Sequence, residues 1–323
     1  MKKLPVLIGM TLAILAASVA QAQSYPTKPV RVIVQFTPGG TPDTYGRVMS
    51  SELSKIWNQS VVVENRTGSS GNLGTDFVAK APADGYTLLF AADAPMAISP
   101  ALFGASLSYD PVRDFAPIIT AVQGGFTLMA HPSFPGNSIK ELIATVQSQP
   151  GKWTYASSGS GGSQHLAMEM IRASGGKMDM THVPYKGFGQ GLADVLSGQV
   201  AMIFAGPQAA PGLVQGGKLK ALGITSRNRS RVIANVPTVA ETLPGFQVLA
   251  WFAFFAPAAT PRDIVRKINA DAQTIIRRPE FQERALKDNL DPVGGTPEDL
   301  AALLKVDLAM WDKVVRPLNL KPE

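Results

Sequence analysis

Residues 29–57 read PVRVIVQFTPGGTPDTYGRVMSSELSKIW, and this stretch decides the fold. A run rich in β-branched residues, Val30–Phe36, has the character of a buried strand. Behind it, Gly39-Gly40 allow positive φ and close backbone approach, so the chain can turn sharply. Thr41 is then placed to cap a helix with Pro42 at its first position. From Asp43 to Trp57 the apolar residues Tyr45, Val48, Met49, Leu53, Ile56 and Trp57 recur at helical steps. A strand, a glycine corner and a helix N-terminus in succession leave backbone N–H groups free at one point, which suits an anion such as a carboxylate. The same corner also serves as a plain strand-to-helix turn.

Working outward, the unit is repeated. Ser60–Glu64 reads as a strand ending in the loop NRTGSSGN, Leu73–Lys80 as a helix, and Thr87–Ala92 as a strand ending at Asp93. A second pass begins at Trp153–Ser157, turns through the loop SGSGGS (158–163), and continues as a helix over Gln164–Ser174. A strand at Met178–Val183 ends in Pro184-Tyr185-Lys186-Gly187; a helix over Gly189–Leu196 leads to a strand at Val200–Phe204, which ends in Ala205-Gly206. Alternating strands and helices predict an α/β protein with parallel sheets. In such sheets ligands bind beyond the carboxyl ends of the strands. Two sheets facing one another would therefore bring six strand-end loops to one cleft. Between the passes runs an apolar crossing segment, Phe115–Ala130; a second apolar run, Phe246–Pro257, leads back, and residues 261–318 read as helices. The division expected is a discontinuous first domain, 23–122 with 245–323, and an inserted domain, 123–244. Two crossings make a hinge, and closure around a ligand is the motion they permit.

The first 22 residues read as a removable leader: Lys2 and Lys3, an apolar run from Leu4 to Val19, and an Ala20-Gln21-Ala22 cleavage signal. No Cys follows to carry a lipid anchor, and no later run reaches the ~18 apolar residues of a membrane helix. Export with zero Cys points to a bacterial periplasm. The rest of the chain, at about 300 residues, is long enough to build its core without disulfides. The net charge of +6 is spread along the chain with no basic block, which argues against nucleic acid and suits small anionic ligands.

Each candidate binding residue has a second reading. Phe36, Thr37, Gly39, Gly40 and Thr41 form the first loop. Asp43 either complements the helix dipole or meets a hydrogen-bond donor on the ligand. Ser157, Ser158, Gly159, Gly162 and Ser163 give a loop dense in donors and low in bulk. Gly159 and Gly161 begin a G-x-G-x-x-G pattern that Gln164 breaks, so a dinucleotide site is not expected. Tyr185 and Lys186 end the next strand, where Lys186 either meets an anion or stays solvated. Asp93 either accepts a hydrogen bond from ligand or pairs with Lys186 across the cleft. Ala205 and Gly206 close the set. His165 reads as a packed or capping residue before it reads as a catalyst. Phe36, Phe188 and Trp251 line either an aromatic pocket or the core. There is no G-x-S-x-G elbow, no P-loop and no metal-ligand spacing, so neither an enzyme, a cofactor nor a metal is expected.

The ordered motifs YPTKPVRVIVQFTPGGTPD (25–43), VVVENRTGSSGNLGTDFVAKAPADGYTLLF (61–90), YDPVRDFAPI (109–118), ASSGSGGSQHLAMEM (156–170), HVPYKG (182–187), SGQVAMIF (197–204), GKLKALGITSRNRS (217–230), VPTVAET (236–242) and WFAFFAPAATP (251–261) span the chain after its leader. Together they resemble the extracytoplasmic solute receptors of tripartite tricarboxylate transporters, the Bug receptors. The resemblance implies a type II periplasmic-binding-protein fold, two doubly wound α/β lobes joined by a two-segment hinge. It implies a monomer that binds a small organic carboxylate through the loops 36–43 and 157–163 and delivers it to membrane permease subunits. A ligand-presenting co-receptor for a sensor kinase is the alternative use of the same pocket, with an exported hydrolase a distant third. Two positions depart from the family pattern: Ala205-Gly206 stand where many relatives carry Asp or Gly and then Asn, and Asp93 stands where relatives often carry Ser or Thr. Both bear on the substrate rather than the fold.

Overall fold

The structure, a computed structural model, describes residues 25–185, 187–318 and 320. The leader and Lys186 lie outside the described residues. In chain order the elements are β1 (Val30–Val34), α1 (Thr41–Trp57), β2 (Val61–Asn65), α2 (Asn72–Ala79), β3 (Thr87–Ala92), α3 (Ser99–Phe103), β4 (Phe115–Gly125), β5 (Thr127–Ala130), α4 (Ile139–Ser148), β6 (Trp153–Ser157), α5 (Ser163–Ser174), β7 (Met180–Pro184), α6 (Phe188–Leu196), β8 (Met202–Ala205), α7 (Ala210–Gln215), β9 (Lys220–Ile224), β10 (Leu249–Pro257), α8 (Arg262–Ile276), α9 (Pro279–Lys287), β11 (Asp291–Gly294) and α10 (Pro297–Leu318).

They form two sheets with helices, hence two lobes. The first sheet has the order β11-β4-β10-β3-β1-β2 and the second β7-β6-β8-β5-β9. The repeated strand–helix passes give the parallel part of each, β2-β1-β3 and β7-β6-β8. The parallel sheets that the alternation predicts are in fact mixed. The crossing segments enter antiparallel: β10 pairs with β3 and β4, and β5 pairs with β8 and β9. A chain that leaves one lobe and returns to it runs against the strands already laid down.

The strands explain themselves by burial. In VRVIV of β1 only Arg31 is exposed, and all six residues of β3 (TLLFAA) are buried, as strands covered on both faces must be. β10 (LAWFAFFAP) fills the centre of the first lobe, where Phe254 meets Phe90 edge-on with ring centroids 4.9 Å apart. Helix α1 buries Tyr45, Met49, Leu53 and Trp57 at four-residue steps against this sheet. It comes so close at Gly46 that a Cβ there would stand 2.9 Å from Val34 Cγ2. The start of α1 also differs from expectation. Gly40 is the N-cap and Thr41 the first helical residue, so the Thr41 hydroxyl makes no cap and is left for other contacts.

The chain passes between the sheets at Phe126 and again between Ile224 and Leu249. Thr225 joins the two passages. Its Oγ1 accepts from Phe126 N–H at 2.8 Å and donates to Val248 O at 2.6 Å. Its own amide donates to Phe126 O at 2.8 Å, and its carbonyl accepts from Val248 N–H at 3.0 Å.

Candidate ligand cleft

The carboxyl ends of β1 and β3 meet those of β6 and β8 at the seam between the lobes, and several contacts cross it. Thr41 Oγ1 donates to Gln208 Oε1 at 3.3 Å. Ser163 Oγ donates to Asp93 Oδ2 at 2.6 Å. A Cβ on Gly161 would stand 2.4 Å from Leu102 Cδ2. Residues that the sequence separates by 59 to 167 positions thus come together at the seam.

On the first lobe, Thr37, Gly39 and Gly40 are exposed, and Phe36 is half-buried against the core. What holds this loop is Asp43, which is only 4 % exposed. Its carboxylate accepts from the Gly39 amide at 3.0 Å, from Arg47 Nε at 3.0 Å and from Asn65 Nδ2 at 2.8 Å. Asn65 also donates to Phe36 O at 2.9 Å. Burial works to raise the Asp43 pKa, but Arg47, the Gly39 amide and Asn65 together hold it below the ordinary carboxylate value. Asp43 is thus an acid in the first helical turn whose carboxylate is turned back onto its own loop. Arg47 lies four residues on and could have been paired with Asp43 from the sequence, whereas Asn65 arrives from the next strand.

On the second lobe, the loop is held from behind. Ser157 is buried; its Oγ lies 2.7 Å from His182 Nε2 and donates to Gly159 O at 2.9 Å. Ser158 is exposed, and both its amide and its hydroxyl go to Gln164 Oε1, at 3.2 and 2.7 Å. The Gly161 amide donates to His165 Nδ1 at 2.9 Å, so His165 does cap the loop. His165 stacks on His182 with centroids 3.9 Å apart, and burial with that neighbour pushes the His182 pKa down to about 4. Gly162 is the N-cap of α5 and Ser163 its first residue, so the first turn of this helix points its N–H groups at the seam.

The remaining candidates divide. Tyr185 donates to Asp194 Oδ2 at 2.5 Å, a hydrogen bond that pushes its pKa up to about 12. That contact ties its hydroxyl within its own lobe. Ala205 is buried at the end of β8, while Gly206 is half-buried and has open space where a Cβ would be. Lys186 lies outside the described residues, and so does its possible pairing with Asp93. Trp251 is fully buried in the first lobe, which places it in the core. Gln208 and Leu102, which reach across the seam, were not among the expected residues. Gln208 sits two positions beyond Gly206 on a strand-end loop, and that position was its only signal.

Two α/β lobes crossed twice by the chain, with strand-end loops meeting at the seam, define a receptor of the periplasmic-binding-protein type. The chain belongs to the tripartite tricarboxylate transporter family receptors, whose pattern matches residues 46–320. It is 33 % identical over 325 residues to Protein BugT of Bordetella pertussis, covering 99 % of each chain. Among solved structures it is similar to Rpa4515 of R. palustris with adipate, at TM-score 0.84 and 32 % identity over 93 % of this chain and 100 % of that one. It is also similar to MatC from Rhodopseudomonas palustris with bound malate, at TM-score 0.81 and 31 % identity over 90 % of this chain and 100 % of that one. The family is one of substrate-binding receptors, not of enzymes. No described helix is long and apolar enough to cross a membrane.

Proposed function

We propose that the chain is a periplasmic receptor that captures a small organic carboxylate between its lobes and delivers it to the membrane subunits of a tripartite tricarboxylate-type transporter. The observation that supports this reading is that two donor-rich loops, 36–41 and 157–163, each reach the opposite lobe at the seam, Thr41 to Gln208 and Ser163, in the first turn of α5, to Asp93. Amides at a helix start favour an anion, and a carboxylate shared by both loops would hold the lobes together. Residues 23–122 with 245–323 would move as one body and 123–244 as the other, pivoting where Thr225 joins the crossings. Of the first-loop residues, Thr37, Gly39, Gly40 and Thr41 face the ligand while Asp43 fixes the loop.

A thermal-shift screen of the mature chain, unfolded and refolded to strip retained ligand, tests the reading. At 100 times its Kd a ligand adds roughly 2.7 kcal/mol of stability, so a true ligand raises Tm clearly. A shift with one class of carboxylate is the expected result, and shifts with amines alone would overturn it. Uptake lost on deleting the permease subunits tests the delivery step.

A further inference from the structure

Asp93 stands apart from the other acids of the seam. It follows β3 directly, is 4 % exposed, and accepts from Ser163 Oγ at 2.6 Å. Ser163 opens α5 on the other lobe, so a carboxylate of the first lobe already occupies the first helical turn of the second. That is where the receptor reading puts one end of an anionic ligand, and the inference rests on that reading. Besides Ser163, the side chain that bears on Asp93 is another acid. From α10 the facing group is Asp307, another acid, held by Trp251 Nε1 at 2.6 Å. From α5, His165 Nδ1 is taken by the Gly161 amide, and Glu169 is taken by Tyr155 and Arg172. Burial pushes the Asp93 carboxyl up to about 7 against the lowering effect of Ser163, and Asp307 pushes the same way. A ligand carboxylate brought to this place would add negative charge beside the buried Asp93 and the half-buried Asp307.

We propose that Asp93 fixes the charge of what the cleft accepts: one positive charge enters with the carboxylate, either an ammonium on the ligand or a proton on Asp93. Amino-carboxylates therefore bind without a change of protonation above pH 7, where Asp93 is ionised, and lose affinity as Asp93 takes up its proton at lower pH. Plain carboxylates bind with uptake of one proton, and Asp93, once neutral, donates a hydrogen bond instead of repelling.

Calorimetric titration of the refolded mature chain with matched pairs reads this directly. The pairs are adipate with 6-aminohexanoate, malate with aspartate, and terephthalate with 4-(aminomethyl)benzoate. Each is run at pH 6, 7, 8 and 8.5 in buffers of different ionisation enthalpy. The expected result for a bound diacid is uptake of about one proton at pH 8 and 8.5, little uptake at pH 6 where Asp93 is already neutral, and a loss approaching tenfold in affinity per pH unit above 7. Its amino partner shows neither. Asp93→Asn abolishes both the slope and the proton uptake and turns the preference at pH 8 toward the diacid; Asp93→Ser does the same if Asn disturbs folding. Diacid binding that is independent of pH and takes up no proton in the wild-type chain overturns the proposal and leaves the receptor reading intact. No binding by any carboxylate at any pH overturns the receptor reading as well.

Discussion

Gly161→Ala is the sharpest single test of lobe closure, because one atom acts on two different equilibria. Gly161 has φ +77°, a left-handed conformation that costs an L-residue about 1–2 kcal/mol. That cost falls on the folded protein whether the lobes are open or closed, so it lowers Tm. The added Cβ also stands 2.4 Å from Leu102 Cδ2 on the other lobe, where carbon atoms rest at about 3.5–4.0 Å. The clash exists only when the lobes meet. Overpacking of this kind costs about 1–3 kcal/mol, and Leu102 can turn its terminal methyl aside to relieve part of it. Ligand affinity should therefore fall by about 5- to 150-fold. Leu102→Ala on the Gly161→Ala background should restore affinity without restoring Tm, and a double-mutant cycle separates the two costs. The chain has zero Cys, so spin labels at Val112→Cys on the first lobe and Lys140→Cys on the second report the interlobe distance specifically. Gly161→Ala should lengthen the mean distance, and ligand should shorten it less than in wild type. Unchanged affinity in Gly161→Ala, or a double variant no better than the single, would refute the reasoning.

Thr225→Val keeps the shape of the side chain and removes the hydroxyl that ties both crossings, leaving the Phe126 amide and the Val248 carbonyl short of a buried partner. A loss of about 1–3 kcal/mol in urea unfolding is expected, and Thr225→Ser should recover most of it. The His182 imidazole, pushed down to about 4, stays neutral in the native protein while the unfolded chain titrates near 6.5. Its contribution to stability is present above pH 6.5 and is lost as the pH falls toward 4, so His182→Gln should flatten the acid limb of a plot of Tm against pH in that window. An acid limb of the same slope in the variant would remove His182 as its cause.

Local chemistry was legible in the sequence wherever neighbours in the chain are neighbours in space. The strand at Thr87–Ala92 and the strand at Trp153–Ser157 fall where their apolar runs put them, and α1 follows its four-residue repeat. What escaped was short or weakly patterned. β11 is a four-residue edge strand containing Pro292, which no period marks. Helix α4 was overlooked although its signal was present: Ser138-x-x-Glu141 is a capping pattern, and Ser138 Oγ does accept from the Glu141 amide at 3.2 Å.

The site divides along the same line, and the division says where specificity resides. The loops that present donors are coded locally, by glycine and serine at a strand end, and a reader of the sequence finds them. The side chains that set their charge and posture come from elsewhere: Asn65 lies 22 residues beyond Asp43, His182 lies 25 beyond Ser157, and Asp93 lies 70 before Ser163. A scaffold of this kind can keep its donor loops and change its ligand by altering one distant residue. Asp93 is a residue of that kind, since an acid placed against Ser163 at the first turn of α5 alters the charge of the cleft while the sequence of both donor loops stays the same.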